Sequence, residues 1–577
     1  MSRAPGERVE SVRFQRTVIV YAETGAFESS SVRQDPASFS VVAGEPFLAK
    51  PNTGSDRDGD LTTLHAAWAR GDFAVTSGTS GTFAGLHYDD RAQTLALIPD
   101  KLGVRPIYFA ITADLVVAAN ALRIIEAVES LPKVLDVRGA VETLALGYPL
   151  ADRTPYHDVF TIRDAEVVTF RDQVVERRRY WCIADITEDA TPLGETARRV
   201  HSAFSTAIRR RLGTDKRGVA FLSGGLDSRC MVAELVERGI ELHTFNFAND
   251  GTKDHVLGDR FAQVAGTLHS RTPRPPDPVR WSLTMAERWG ASPHRATQPV
   301  ERPRMVWSGD GGSVGLGFVG VYPSAIALLR AGKRDEAVER YCREHEISLP
   351  VRVFRREVAD AVRELLRIGL REAFDEARSD GEPGRDLYVF RMQHDQRRHL
   401  TLHFEDVDLH RLEFHLPFYD ADLITLVAAA PADYGVGHRL YNAALPYFPK
   451  IISNVAWQTY PGHEPCPIPL PEDAIDQWGD RQRDIVRRSR RSGILGEAAR
   501  LLRARSFPSP LLDRRYLAAA GVMHWLGRGD YSYVMDYAAS FSTFWSVSQG
   551  RWRLDAGPRD RTSGAGVARD VQTTSRA

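Results

Sequence analysis

Near residue 190 the spacing of apolar residues changes, and that change constrains the fold more than any other feature of the chain. Beyond it the chain reads ETARRVHSAFSTAIRRRL with helical spacing, GVAFL as a short buried strand, RCMVAELVERGI as a helix, LHTFNF as a strand and VLGDRFAQVAG as a helix. Strands alternating with helices bury both faces as a parallel, doubly wound sheet. At the first strand-to-helix junction stands FLSGGLDSRC, residues 221–230. A loop placed there leaves backbone N–H groups unpaired at a helix start, and glycines let the backbone approach an anion, so the junction reads as a phosphate cradle. Its spacing is neither the GxxxxGK(S/T) of a P-loop nor a GxGxxG fingerprint, which removes support for kinase and dinucleotide-binding readings. Ser223 and Ser228 can add hydroxyl donors, and Asp227, a carboxylate among phosphates, makes chemical sense mainly as a Mg2+ ligand. On these ten residues alone, a turn followed by a helix cap remains the alternative.

From about residue 17 to 185 the pattern differs. The runs TVIVYA, FAVTSG, LALIPD, IYFAI, LVVAAN and EVVTF, punctuated by Gly, Pro, Asp and Asn, predict a sheet-rich domain. Helical signals dominate from about 325 to 445, the Pro-rich VAWQTYPGHEPCPIPLPED predicts a long loop, and AGPRDRTSGAGVARDVQTTSRA predicts a disordered tail. The expected division is 1–185, 186–555 and a tail over 556–577. A chain of 577 residues is long enough for two or three cores. Lys and Arg number 75, as do Asp and Glu, so no global field calls for nucleic acid or an anionic membrane. Cys182, Cys230, Cys342 and Cys466 lie far apart without a CxxC pair, which argues against a disulfide framework or a zinc site. TVIVYA is too short for a signal-peptide core, and no window approaches the roughly 20 apolar residues of a membrane span, so a cytoplasmic protein is expected.

SGGLDS after a buried strand resembles the pyrophosphate loop of the ATP pyrophosphatase superfamily, in the wording of the asparagine synthetase class B family. Other segments agree in order. LHTFNFANDGTKDHVLGDRFAQVAGTLH is similar to the family's second strand and helix, WSGDGGSVGLG at 307–317 to its SGEGSDELFGG loop, and LEFHLPFYDADLITLVAAAP at 412–431 to its LExRxPFLD helix. Upstream, the segment from GDFAVTSG through DKLGVRPIYFAI to LVVAAN resembles the latter half of the family's glutamine amidotransferase domain. The resemblance spans roughly residues 60 to 460. It implies an α/β protein: an N-terminal Ntn-hydrolase-like β-rich sandwich, then a doubly wound ATP pyrophosphatase domain with a largely helical C-terminal part. It also implies ATP and Mg2+, with Leu222, Ser223, Gly224, Gly225, Leu226, Asp227 and Ser228 around the pyrophosphate and Asn246, Phe247 and Gly309 bordering the nucleoside.

Departures from the family pattern shape the expected chemistry. Glutamine-hydrolysing members use a cysteine directly after the initiator Met; here Ser2 follows Met1, so glutaminase activity is not expected. In this the chain resembles branches that keep the domain as a scaffold, the β-lactam and carbapenam synthetases and the lasso-peptide cyclases. Asp310 stands where the family has a glutamate or tyrosine, and Ser313 where it has a metal-binding aspartate; Asp310 is then the second candidate metal ligand beside Asp227. His415 replaces the arginine of LExRxPFLD, and Trp457 stands roughly at the lysine of RPKxGF, which leaves Lys450 as a weak substitute or a solvated loop residue. Glu413 in the matching helix reads either as a base, alone or with Asp310, or as a structural ion pair with Arg411 or Arg398. His399, His403 and Glu405 have the spacing of a metal site or of satisfied structural histidines. The basic run RQRDIVRRSRRSGILGEAARLLRARSF, residues 481–507, reads as a solvated helix face or as a grip for an acidic peptide or RNA.

The activity expected from this resemblance is an AMP-forming amide synthetase. It adenylates a carboxylate, an amino acid or a precursor peptide, and passes it to ammonia or an amine, in peptide or natural-product tailoring. An ATP-binding pseudoenzyme is the alternative, and an RNA-modifying relative a third.

Overall fold

The computed structural model of the chain describes residues 9–48, 56–172, 174–272, 281–472, 474–476, 488 and 490–554. The Met1–Ser2 pair, most of the first third of the basic run and the expected tail lie outside the described residues.

Alternating apolar residues in the first half give antiparallel strands. A hairpin of β1 (Val9–Arg13) and β2 (Val18–Ala22) precedes β3 (Val32–Gln34), β4 (Ser38–Glu45), β5 (Thr82–Asp89), β6 (Thr94–Pro99), β7 (Tyr108–Ile111), β8 (Val116–Ala119), β9 (Leu135–Asp136), β10 (Val159–Thr161), β11 (Glu166–Arg171) and β12 (Val174–Arg179). One sheet runs β12-β11-β6-β5-β4-β3 and a second β10-β7-β8. Leu97, Ile107, Phe109, Phe160, Val168 and Phe170 pack together between them, while helix α1 (Arg57–Trp68) covers another core through Leu61, Leu64 and Trp68. This is the expected sandwich.

FAVTSG departs from the strand prediction: Ala74–Gly78 is a short 3-10 turn. Asp72 accepts a hydrogen bond from Ala74 N at 3.1 Å, and Thr76 is turned inward to receive the Trp68 indole N–H at 3.1 Å. Those local bonds satisfy groups that a sheet ladder would otherwise have to pair.

In the second half α2 (Leu193–Leu212) leads into β13 (Arg217–Phe221), α3 (Leu226–Glu237), β14 (Glu241–Asn246), α4 (Lys253–Ala265) and β15 (Leu268–Arg271). Then come β16 (Met305–Trp307), the short helix α5 (Gly312–Gly315), α6 (Arg356–Glu376), α7 (Arg397–Glu405) and β17 (Glu413–His415). The sheet is fully parallel in the order β15-β14-β13-β16-β17. The chain winds one way from β13 to β15 and the other way from β16, so the switch point lies between β13 and β16, where such sheets open a crevice at their carboxyl ends.

The segment at 412–431 corrects the expectation of a single helix. Glu413–His415 is a strand, Pro417–Tyr419 a 3-10 turn, and only Ala421–Ala429 a helix, α8. Pro417 biases its predecessor away from helical angles, and Asp420 caps the helix by accepting from Asp422 N at 3.1 Å. Helices α9 (Ile494–Arg503), α10 (Arg514–Trp525) and α11 (Ser532–Val547) follow, and β18 (Trp552–Arg553) returns to pair with β9 in the first half. Among the described residues no helix is long and apolar enough to cross a membrane. All four cysteines are free thiols.

Candidate active site

The site begins where β13 stops. Ser223 and Ser228 hydroxyls lie 2.9 Å apart, Ser223 N donates to Ser228 Oγ at 2.9 Å, and Gly225 N donates to Ser223 Oγ at 3.2 Å, so the loop curls back on the first turn of α3. Gly224 N donates to the Asp254 carboxylate. That carboxylate is an anion held by a loop N–H, as a phosphate oxygen would be. Gly224 has a packing reason as well: a Cβ there would fall 2.7 Å from Asp254 Cα. Asn246, ending β14, donates to Leu222 O at 2.9 Å and to Asp254 O at 3.2 Å, and its Oδ1 accepts from Ala248 N at 2.8 Å. One amide therefore locks the first two strand ends together.

The loop after β16 packs against this cradle. A Cβ on Gly309 would lie 2.5 Å from Ser228 N, and one on Gly312 would lie 2.5 Å from the Asp227 carboxyl carbon. Only glycine permits that approach. Ser313 donates to Asp227 Oδ2 through its backbone N at 2.8 Å and through its hydroxyl. Asp227 Oδ1 is buried with no donor in hydrogen-bonding geometry; the Tyr441 hydroxyl is near enough to lower the carboxyl's pKa, yet it makes no hydrogen bond by distance and angle. Burial dominates and pushes the Asp227 carboxyl up to about 6, with the charge of Asp310 adding to the rise. Asp310 is half exposed, and its Oδ2 accepts from Ser308 Oγ and from His403 Nε2, each at 2.7 Å.

The last wall comes from the segment after α8. Arg229, fully buried on α3, donates to the carbonyls of Val455 and Ala456 and stacks over Phe261 at 4.7 Å, which fixes the 455–457 turn. Gln458 N donates to Gly224 O at 3.0 Å, tying that turn to the cradle. The result is a cleft of about 540 Å³ at the carboxyl ends of β13, β14 and β16, roofed by His438, Asn442, Trp457–Tyr460 and Glu464.

The family described as Glutamine amidotransferase domain matches residues 48–181, and the family described as Asparagine synthase matches residues 199–279. Over these segments the chain is similar to the asparagine synthetases. Asparagine synthetase [glutamine-hydrolyzing] 3 of Bacillus subtilis (strain 168) is 27% identical over 225 residues, covering 37% of this chain and 34% of that protein. Asparagine synthetase [glutamine-hydrolyzing] of Mesocricetus auratus is 28% identical over 200 residues, covering 33% of this chain and 34% of its own. Putative asparagine synthetase [glutamine-hydrolyzing] 2 of Methanocaldococcus jannaschii is 26% identical over 220 residues, covering 37% and 41%. The chain thus spans about a third to two fifths of the length of these curated relatives.

Of the residues singled out in the sequence, Leu222, Ser223, Gly225, Leu226, Asp227, Ser228, Asn246, Phe247, Gly309 and Asp310 all line the cleft, with Gly224 inside the same loop. Two are not brought there. Glu413 opens β17 at the amino-terminal end of the sheet, in register with Met305, and its buried carboxylate pairs with Arg105, neither of the arginines proposed from sequence. Lys450 is exposed at the start of a 3-10 turn and lines no part of the cleft. The histidine pair also separates: His403 bonds Asp310, His399 faces Asp395, and Glu405 accepts from Tyr108 and Leu122. Among the described residues no group of three or more His, Cys, Asp or Glu forms a metal site. His415, at the family's arginine position, faces Glu45 at 3.6 Å. Sequence reasoning missed Asp254, His438, Gln458 and Tyr460. Asp254 had a signal, the first turn of a helix following a strand; the other three sit on aperiodic segments.

Proposed function

We propose that the chain is an ATP-dependent, AMP-forming amide synthetase. The observation that carries this reading is the convergence, at the switch point of a parallel sheet, of the SGGLDS loop, Asn246–Phe247 and Gly309–Asp310 around one cleft. ATP is the co-substrate. The carboxylate of the second substrate attacks the α-phosphate, and the loop N–H groups and the hydroxyls of Ser223 and Ser228 receive the departing pyrophosphate. An amine then displaces AMP from the acyl group. Asp254 leaves Gly224 N when phosphate oxygens arrive.

A cation fits the residues present. Asp227 Oδ1 is a buried carboxylate oxygen without a donor, and Asp310 is close enough to raise its pKa. These two would hold Mg2+, which when bound neutralises pyrophosphate charge. The amine is ammonia or an amino group of the same molecule. Tyr460 and Glu464 of the YPGHEPCP loop line the cleft, which supports a substrate larger than a free amino acid and hence peptide or natural-product tailoring.

The test is carboxylate-dependent ATP–pyrophosphate exchange over a panel of amino-acid and peptide carboxylates headed by L-aspartate. Asp227→Asn should lower exchange by about 1,000-fold while the melting temperature holds. Undiminished exchange in that variant would overturn the assignment. A second reading has one specific observation in its favour: Ser313 occupies Asp227 Oδ2, half of the metal-binding carboxylate. A pseudoenzyme of this kind binds ATP and gives no exchange with any carboxylate.

A further inference from the structure

We propose that the imidazole of His438 takes the proton from the attacking amine in the acyl-transfer step; this rests on the synthetase reading above. His438 lines the cleft and is 7% exposed. Among the described residues neither ring nitrogen has a hydrogen-bond partner, and neither is sealed from the cleft as a buried orphan atom would be. Of the other candidate bases on the cleft wall, Asp310 is engaged by Ser308 and His403, Asp254 by Gly224 N, and Glu464 by the Asn442 amide at 2.6 Å, while Asp227, held on one oxygen by Ser313, is the candidate cation ligand through the other.

The backbone around His438 is built at a cost. Gly437 and His438 both have φ of 68°, the left-handed region. A histidine there is strained, and such strain persists where the surroundings over-determine it. The ring is gripped from several sides. His463 lies at 4.4 Å, Tyr441 at 5.8 Å and Tyr460 at 6.1 Å between centroids, and a Cβ on Gly317 would fall 2.2 Å from Nε2. Glu464 N donates to Gly437 O at 3.2 Å and closes the turn. Burial, then the neighbouring His463, pushes the His438 pKa down to about 3, so the ring is neutral and able to accept. Adenylate and pyrophosphate bring negative charge into the cleft and raise the ring's affinity for a proton at the stage when one is released.

In the step itself the amine lone pair forms the new N–C bond at the acyl carbon. The C–O bond to the adenylate phosphate breaks, and its electron pair leaves with AMP. The proton lost by nitrogen passes to a ring nitrogen of His438 and from there to solvent.

The left-handed backbone supplies a clean variant, because glycine adopts that φ without strain. In the full chain, His438→Gly is measured with ATP and the panel carboxylate that supports exchange, using ammonium chloride as amine and hydroxylamine as trap. Pyrophosphate exchange and hydroxamate formation should stay within about 3-fold of wild type, while ammonium-dependent amide formation falls by about 100-fold or more. Added imidazole should restore amide formation in His438→Gly and leave His438→Asn, which tolerates the same φ, unrescued. Exchange and amide formation falling together would mark a structural role and overturn the proposal, as would unchanged amide formation. If wild type supports no exchange with any carboxylate, the synthetase reading fails and this proposal with it.

Discussion

Asp227, half-buried with one carboxylate oxygen fully covered, and Glu413, buried, are acids anchored to the same parallel sheet, and the molecule treats them in opposite ways. Asp227 sits at the carboxyl end, in the first turn of α3, with one oxygen held by Ser313 and the other without a donor among the described residues. Glu413 sits at the amino end, at the first residue of β17, facing the guanidinium that Arg105 brings from the loop between β6 and β7. Other charges are also matched across the two halves of the chain: Arg123 with Asp408, Arg138 and Arg153 with Glu372, and Arg163 with Glu376. Those ion pairs join the two halves, whereas in the cleft one oxygen of Asp227 receives no donor among the described residues. Burial alone does not distinguish the two roles; the partner does.

The largest effect expected from this contrast is on stability. Glu413→Gln leaves Arg105 buried beside a neutral amide, and removing one partner of a buried pair costs about 3–5 kcal/mol. The loss should appear in the denaturant midpoint and the melting temperature. The double change Arg105→Met with Glu413→Leu should recover most of it, since apolar groups have no charge to desolvate. Asp227→Asn should do the opposite, removing a carboxylate that burial already disfavours and leaving the melting temperature equal or higher. If Glu413→Gln lost exchange activity with an unchanged melting curve, the comparison would break, and Glu413 would belong to the chemistry.

The same contrast explains what the sequence could reveal. Asp227 was legible because its loop follows GVAFL, a strand whose apolar run is visible, and the ends of parallel strands are where such sheets bind ligands, whereas Asn246, Phe247 and Gly309 were placed by the family resemblance. The sheet-rich first half was legible from short β-type runs punctuated by Gly, Pro, Asp and Asn, and its sandwich form from the family resemblance, apart from Ala74–Gly78, where Thr76 prefers a bond to Trp68 over a place in a ladder. Glu413 was misassigned because a short motif fixes position along the chain and leaves side-chain direction open. In a strand of three residues, a one-residue step reverses the face. His438, Gln458 and Tyr460 were invisible for another reason: they lie beyond β17 and α8 on segments with no strand or helix period, and reach the cleft through contacts such as Gln458 N to Gly224 O.

A smaller effect sharpens the comparison from the side of pH. Glu405 at the end of α7 reaches across to the first half, accepting from the Tyr108 hydroxyl at 3.0 Å and from Leu122 N at 2.7 Å. Unlike Glu413 it receives no guanidinium hydrogen bond among the described residues, and burial pushes its carboxyl up to about 7, against those two bonds. The ordinary glutamate value is 4.5, so between there and about 7 the folded chain keeps a proton that the unfolded chain has released. Stability from this group is therefore full below the unfolded value and falls as pH rises towards 7, by about 2 kcal/mol on the scale of 1.4 kcal/mol per unit, discounted for relaxation. Glu405→Gln has no proton to lose. Denaturant midpoints of wild type and variant should nearly coincide at pH 5, and the variant should be the more stable by about 2 kcal/mol at pH 8. Parallel pH curves for the two proteins would mean that Glu405 ionises freely where it stands, and that the charge at this face is held by solvent instead of by its partners.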